Sequence, residues 1–404
     1  MIATVILHVG YSVRASYHED WLDAFLAHPD LACEAVNIFS AAGRRRAARR
    51  IRDAELVVIL HSATGETLAY LDTLGPALQA RRGKLAVFMG NEFNMPWLPF
   101  AQRRRWLRSV GTDIVATQLV AATGRWLYDG SGAHVVSLPH ALNPAAFAWH
   151  RPRQDRGLDI AGRSFPYPLY IGDETRNRLY LTVGPAAARH GLKTDVRFMD
   201  RLDRAGWAAL LNDSRFTVAS EAGSAHLERD DARTHAMRAW LQERRKGGVI
   251  KGDSPLRAIG RRLPWRMRET AIRLLGRLNI AHEAIETEPE LARRVHDAFF
   301  AGLPDASHSG RCISSRHWDA IGCGTVQLLV AGRYNDLLQP WLHYIPLKPD
   351  LSDLETVLPL LSDPDFGQEI ADRAHHHALD RHTHRHRLDE LLRTIGRNDP
   401  RPET

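Results

Sequence analysis

Ser314-Ser315-Arg316-His317-Trp318-Asp319-Ala320-Ile321-Gly322-Cys323-Gly324-Thr325-Val326-Gln327-Leu328-Leu329-Val330 reads as a capped helix, a glycine turn and a covered strand. The serine pair ahead of an apolar helical turn is an N-cap pattern. The near-continuous apolar run Thr325–Val330 is that of a strand buried on both faces, as in a parallel sheet clothed by helices. Arg316 falls in the helix's first turn, where a guanidinium beside the free N–H groups makes a seat for a phosphate. Asp319, three residues on, shares a face with Arg316. A carboxylate there suits a ribose diol, and the same spacing equally suits an Arg–Asp pair on a structural helix.

The same alternation runs outward from this stretch. Apolar runs recur at Thr4–His8, Ala35–Phe39, Leu56–Leu60, Leu85–Met89, Asp113–Ala116 and His134–Leu138, with amphipathic stretches such as Trp21–Leu26, Leu68–Arg81 and Ala101–Val110 between them. Short apolar runs spaced by helical segments predict βαβ units. Between 141 and 166 the rhythm breaks at Pro144, Pro152, Gly157, Gly162 and Pro166, which reads as a connection between domains. A second alternating region follows. It predicts strands at Tyr167–Ile171, Asp195–Phe198, Phe216–Ala219 and near Tyr344–Pro346, a helix from Arg176 to His190, and closing helices at Leu351–Leu361 and Phe366–Ile395. A chain of 404 residues exceeds one core and implies two domains. The expected fold is α/β, with two Rossmann-like domains facing a cleft that binds ligands at the strands' carboxyl ends. The expected division is 1–141, then 166–373 with a helical, basic insertion at about 225–305, then a closing helix over 374–404 that packs back toward the first domain.

Composition excludes several classes. At 44% hydrophobic and 25% charged the chain is an ordinary globular protein, not a disordered or fibrous one. No run approaches the roughly 20 apolar residues of a membrane-spanning helix. Met1–Gly10 reads as a first strand, not a signal peptide. Cys33, Cys312 and Cys323 are too scattered for a disulfide framework or a paired-cysteine metal site. The expectation is a cytoplasmic protein, with contact at the inner membrane face as an option. The net charge of +7 is local: residues 229–277 hold 14 Arg and Lys against 5 Asp and Glu. Such a segment suits an anionic membrane surface or nucleic acid, and suits a solvated helical face as well. Leu256–Leu278 has an amphipathic look within it, and Trp240 and Trp265 are candidates to stack on bases.

The Ser314–Gly324 segment resembles the C-terminal part of family-1 and family-4 type GT-B glycosyltransferases, in particular the CgeB-like spore-maturation group. Asp319-Ala320-Ile321-Gly322-Cys323-Gly324 matches the Glu-Ala-Met-Ala-Cys-Gly block of the retaining enzymes, with Asp319 in place of the glutamate. Gly172-Asp173-Glu174-Thr175-Arg176 is similar to the Gly-x-x-x-Arg of the donor domain's first strand-to-helix turn. Leu138–Pro144 resembles the end of the N-terminal domain, and Tyr334-Asn335-Asp336 the loop beside the sugar. His382-Thr383-His384-Arg385-His386-Arg387 resembles the closing helix. The likeness implies a nucleotide-sugar donor, UDP- or GDP-linked, held by Gly172, Asp173, Arg176, Ser314, Ser315, Arg316, Asp319, Gly324, Asn335 and Asp336. Eight residues before Asp319, where the family carries a further glutamate, stands Arg311. Glu221 fills that role if the residues between form an insertion.

Transfer needs a stabilised diphosphate, a positioned acceptor hydroxyl and exclusion of water. Positive groups aimed at the developing charge contribute most to the rate, a task that falls to Arg176, Arg316 and the helix start. Candidates for the acceptor base or orienting group are His8, His61 and Glu92 at predicted strand ends, and His140 at the junction. No Asp-x-Asp loop is present in a suitable place, so no metal and no cofactor are expected. His382 and His386 are i, i+4, a spacing that occurs in zinc sites, without acidic or cysteine partners. The leading expectation is therefore a metal-independent glycosyltransferase for surface polysaccharide or another glycoconjugate. The alternatives are transfer to nucleic acid, a nucleotide-sugar epimerase, or a non-catalytic nucleotide-binding protein.

Overall fold

The computed structural model describes residues 1–11, 16–198, 200–244, 248–260, 263, 267, 270–271, 274–275, 281–283, 289–303 and 307–397. Two parallel sheets form the frame. The first holds β1 (Ile2–His8), β2 (Leu31–Asn37), β3 (Leu56–Ile59), β4 (Lys84–Phe88), β5 (Ile114–Thr117) and β6 (His134–Ser137), in the order β2-β1-β3-β4-β5-β6. The second holds β7 (Leu158–Ser164), β8 (Thr194–Phe198), β9 (Ser214–Ala219), β12 (Val326–Val330) and β13 (Ile345–Leu347), in the order β13-β12-β9-β7-β8. All pairings are parallel. Every residue of β3, β5, β9 and β12 is buried, because helices cover both faces. A small pair, β10 (Val249–Ile250) with β11 (Ala281–His282), stands apart.

Several elements depart from the sequence reading. Tyr167–Ile171 is not a strand: Leu169–Ile171 forms one 3-10 turn. Pro166 and Pro168 lack the N–H groups a ladder needs. The second sheet instead begins at Leu158, inside the stretch read as a connection. Leu68–Arg81 is broken into the short helices Ala69–Asp72 and Gly75–Gln79. The strand expected at Ala35–Phe39 runs from Leu31 to Asn37.

The chain leaves the second sheet after β9 and returns before β12 through a closed stem. Ala222 N donates to Cys312 O (2.8 Å), Cys312 N to Ala222 O (2.9 Å) and Gly310 N to Ser224 O (2.8 Å). Between them runs an excursion whose described residues include the helices Ala232–Arg244, Pro255–Gly260 and Pro289–Phe299 and the β10–β11 pair. Trp265 and much of Leu256–Leu278 lie outside the described residues.

The last helix, His384–Arg397, crosses back to the first sheet, where Leu388 and Leu391 pack with Trp21, Phe25 and Phe88. The outward and returning crossings touch: Leu142 N donates to His382 O (2.8 Å) and His384 N to Leu142 O (3.0 Å).

Candidate functional site

Strand order locates the crevices. In the first sheet β1 is flanked by β2 and β3, so the connections part there and leave a crevice above the carboxyl ends of β1 and β3. His8 ends β1, and His61 follows β3. In the second sheet the parting falls between β7 and β9, above Ser164 and Ala219, with Ser220 and Glu221 next in the chain.

The second crevice is cationic. Arg176 is buried, with its guanidinium 3.9 Å from the Tyr167 ring centre and Nη2 donating to Ser220 O (3.4 Å) and Glu221 O (3.2 Å). Burial and the neighbouring Arg316 hold its pKa below the usual arginine range. Arg316 Nη1 donates to Arg163 O and to the Tyr180 hydroxyl, both at 3.0 Å. Among the described residues no carboxylate pairs with Arg316, so its charge is open to an incoming anion. The Ser315–Gly322 helix begins beside it. Ser314 N donates to His317 Nδ1 (3.0 Å), a capping box in which histidine replaces the common Glu or Gln. His317 is fully buried, and burial with the nearby Arg316 pushes its pKa down to about 3. It stays neutral and keeps its acceptor.

Glu221 accepts from Tyr334 N (2.6 Å), and a Cβ added at Gly332 would lie 2.4 Å from its Oε2. Its carboxyl thus braces the turn Tyr334-Asn335-Asp336, whose φ values of 48°, 56° and 60° are left-handed at three successive non-glycine residues. Such strain persists only where surroundings impose it, and it concentrates at functional sites. Asn335 spans the domains: Nδ2 donates to Gln118 O (2.9 Å), and Oδ1 accepts from Ile313 N (2.7 Å). Asp336 is occupied by Arg333 (3.0 Å) and Asp173 by Arg311 (2.9 Å).

Three expected donor residues are placed otherwise. Gly172 is left-handed (φ 68°), and a side chain there would strike Phe300 of the excursion. Gly324 (φ 65°) lies at the start of β12, the edge away from the crevice, under the Trp149 ring. Asp319 is 2% exposed, and its Oδ2 accepts from Trp207 Nε1 (3.1 Å) and Ser16 Oγ (3.3 Å). Burial and nearby Asp20 raise its pKa well above the usual carboxylate range. No ion pair joins it to Arg316 among the described residues.

The first crevice gathers aromatic rings and imidazoles. Trp21 Nε1 donates to His140 Nδ1 (3.1 Å). The His61 ring lies 5.1 Å from His140, 5.5 Å from Trp21 and 6.0 Å from Tyr17. Burial and neighbouring histidines lower the pKa values of His61 and His140 well below the ordinary value. His18, which no motif flagged, lies 4.3 Å from the Tyr17 ring. Burial, His8 and Arg201 push its pKa down to about 4. Tyr17 is raised to about 12 by burial and by Glu66. Glu92 lies apart from this group. It accepts from Thr117 Oγ1 (2.6 Å), Gln118 N (2.7 Å) and the Tyr128 hydroxyl (2.8 Å), and burial raises its pKa to about 7.

Among the described residues no three His, Cys, Asp or Glu are grouped to hold a metal ion. His386 caps the last helix, accepting from Thr383 N (3.2 Å), while His382 stacks on Trp318 (4.9 Å). The i, i+4 pair is therefore two separate structural devices.

Residues 233–393 match the model of a family described as glycosyl transferase-like. No curated protein matches the chain. Among solved structures, Alr3699/HepE of Anabaena, in complex with UDP and glucose, aligns over 98% of this chain and 100% of its own at 9% identity and a TM-score of 0.50. An alpha-glucosyltransferase in complex with UDP and a 13-mer DNA aligns over 98% and 100% at 11% identity and 0.49. T4 phage beta-glucosyltransferase aligns over 98% and 99% at 8% identity and 0.48. At 9% identity the HepE likeness speaks to architecture alone. Two parallel sheets, each parting at one crevice and matched end to end by the HepE structure, give this chain the GT-B fold of the glycosyltransferases.

Proposed function

We propose that the protein transfers a sugar from a UDP-sugar to an acceptor hydroxyl, without a metal ion. The carrying observation is the opposition of the two crevices. One presents Arg316, which has no carboxylate partner among the described residues, beside Arg176 and a helix start; the other presents neutral histidines. Arg316, Arg176 and the N–H groups after Ser314 and Ser315 take the diphosphate and stabilise the charge that grows as the glycosidic bond breaks. Asn335, fixed to both domains, lies beside the sugar. A histidine whose pKa is depressed is unprotonated at neutral pH and is free to accept the hydroxyl proton. His61 and His18 are the candidates on this ground, and His8 by its place at the end of β1, with His140 orienting Trp21. Glu92, with three donors already in place, positions the β4 and β5 loops and touches no substrate. The likeness to HepE, whose structure holds UDP, supports uridine over guanosine.

The test is thermal stabilisation by a panel of nucleoside diphosphates and their sugars, since a ligand that binds only the folded state raises Tm. UDP is expected to stabilise wild type, and Arg316→Ala far less. Turnover of the matching UDP-sugar in EDTA is expected to persist. Silence of the whole panel, or conversion of one nucleotide sugar into another without transfer, defeats the reading.

For the acceptor, we infer a glycoconjugate carried at an anionic membrane surface. Leu256, Ile259, Met267 and Leu274 are each more than half exposed, within a segment that also carries Arg261, Arg262, Arg266, Arg268, Arg273 and Arg277. Apolar side chains among cations suit the headgroup boundary. Flotation with vesicles rich in anionic lipid, and not with neutral ones, is the expected result. Binding to duplex DNA in preference to vesicles, lost as salt rises, turns the acceptor to nucleic acid.

A further inference from the structure

The excursion from Ala222 to Cys312 is rooted in the second domain, yet its contacts cross to the first. The Asn94 side chain pairs with it like a strand edge: Nδ2 donates to Glu228 O (2.9 Å), and Oδ1 accepts from Glu228 N (3.0 Å). Nδ2 also donates to Asp231 Oδ1 (2.8 Å), and Asp231 is fully buried in a left-handed backbone (φ 59°). Arg104 Nη2 donates to Arg229 O (2.8 Å), and Arg229 pairs with Asp129 (3.1 Å). Farther out, Arg257 is buried against Trp97 (4.6 Å) and pairs with Glu66 (2.6 Å). Trp126 stacks on His308 at 4.5 Å and 6°. Leu227, Met237, Leu241, Val295 and Phe300 join Trp97, Leu98 and Phe100 in one continuous apolar core.

A solvated basic arm has no need of such contacts. The described cations that face the first domain are matched to carboxylates or carbonyls of that domain, and the apolar face is shared with it. The stem, meanwhile, leaves the second sheet one residue after Glu221 and returns at Arg311 and Cys312, beside the donor crevice. The chain crossings at Leu142 and Thr383 also join the domains, as do the Arg204–Asp20 pair (3.0 Å) and the Ser16–Asp319 hydrogen bond (3.3 Å).

We infer that the excursion is a clasp, which holds the two domains closed over the cleft without ligand and shuts its mouth on the β9–β12 side. The excursion adds to those ties and limits how far the domains part. This inference concerns domain closure and stands whether or not the protein transfers sugar.

Small-angle scattering of the ligand-free full chain tests it. Wild type is expected to scatter as the closed form. Asn94→Ala with Glu66→Ala, which removes the clasp's partners on the first domain, is expected to raise the radius of gyration and the maximum dimension. Arg293→Ala, which breaks a pair wholly inside the excursion, is expected to leave both unchanged. If the double variant loses its far-UV signal, Glu66→Gln alone, at a half-exposed rim carboxylate, carries the same prediction at smaller amplitude, read also as faster amide exchange at residues 228–231. A double variant that folds and scatters like wild type overturns the clasp. So does a wild type whose scattering is already that of parted domains.

Discussion

The two lips of the cleft are built from the same motif and hold opposite chemistry. Each is the carboxyl edge of a parallel sheet at the point where its connections part. The second lip gathers guanidinium groups, and at Arg316 the charge meets a backbone carbonyl and a hydroxyl in place of a carboxylate. The first lip gathers imidazoles and indole and lets burial strip their charge. Fold alone does not decide what a crevice binds; the side chains at strand ends do. One lip is prepared for an anion and the other for a proton, and that division of labour makes the pair read as a transfer site.

The largest effect should come from the cationic lip. A charge-assisted hydrogen bond is worth about 1.5–3 kcal/mol, or roughly ten- to a hundred-fold in affinity. Arg316→Ala is expected to cut sharply the rise in Tm given by UDP at concentrations that just saturate wild type, while Tm without ligand moves little. Arg176→Ala should weaken UDP binding too, and because that guanidinium is buried between Tyr167 and the Ser220–Glu221 backbone, it should also lower the ligand-free Tm. Arg316→Ala binding UDP as wild type does would erase the contrast between the lips.

The histidine lip predicts a pH dependence. His18, His61, His140 and His384 have folded pKa values below the unfolded value near 6.5. The unfolded chain therefore takes up protons first as pH falls. The stability these groups contribute is complete above pH 6.5 and declines as pH drops from there toward their folded pKa values. Each imidazole that stays neutral at pH 5 costs on the order of 1–2 kcal/mol, so Tm should fall by several degrees between pH 7 and 5. Glu92 and Asp20, raised by burial to about 7 and about 6, act in the other sense and blunt the decline. His61→Gln should flatten the profile. A Tm that is level from pH 7 to 5 would mean that the lip is wetter and more readily charged than its packing implies.

What was legible in the sequence follows from how each residue is buried. The inner strands of the first sheet, β1, β3, β4 and β5, announced themselves as apolar runs because both faces are covered. Leu158–Ser164 was hidden because its charges are answered across the sheet: Asp159 pairs with Arg215 on β9 (2.6 Å) and Arg163 with Asp195 on β8 (2.7 Å). Tyr167–Ile171 misled for the converse reason. Its apolar side chains pack against the excursion, and Tyr170 donates to Glu283 (3.1 Å). The helix Ser315–Gly322 was readable from its cap, and Arg316's place in its first turn with it. His18 was not, since its significance comes from His8 and from Arg201 of the other domain.

A smaller effect separates the two histidine caps. His317 and His386 accept from the N-cap N–H at 3.0 and 3.2 Å, one under the cationic lip and one under the last helix. Loss of a cap costs about 1 kcal/mol. His317→Ala should lower Tm and also weaken UDP binding, because it unsettles the N–H groups that meet the diphosphate. His386→Ala should lower Tm alone. Gln at either position restores the capping box. Equal effects of both alanine variants on UDP would show that the donor helix start is not an anion seat.

The smallest effect is expected at Asp319, and it bears most directly on the reading of the motif. The likeness to retaining enzymes assigns this carboxylate to a ribose. Its place in the fold gives it to the domain junction, where Trp207 and Ser16 donate to it. Burial, with Asp20 close by, already favours its protonated form. Asp319→Asn replaces one neutral acceptor with another of the same shape. The expected outcome is a UDP-induced rise in Tm equal to wild type, together with a change in the ligand-free Tm within about 1 kcal/mol of stability. Asp319→Ala, which leaves the indole N–H of Trp207 unanswered in a buried site, should lower Tm by more and still bind UDP. If the Asp319→Asn variant instead loses UDP while folding as well as wild type, then the carboxylate swings from Ser16 to the ribose when the nucleotide arrives. The two lips would then share a residue, and the division between them would hold only in the empty cleft.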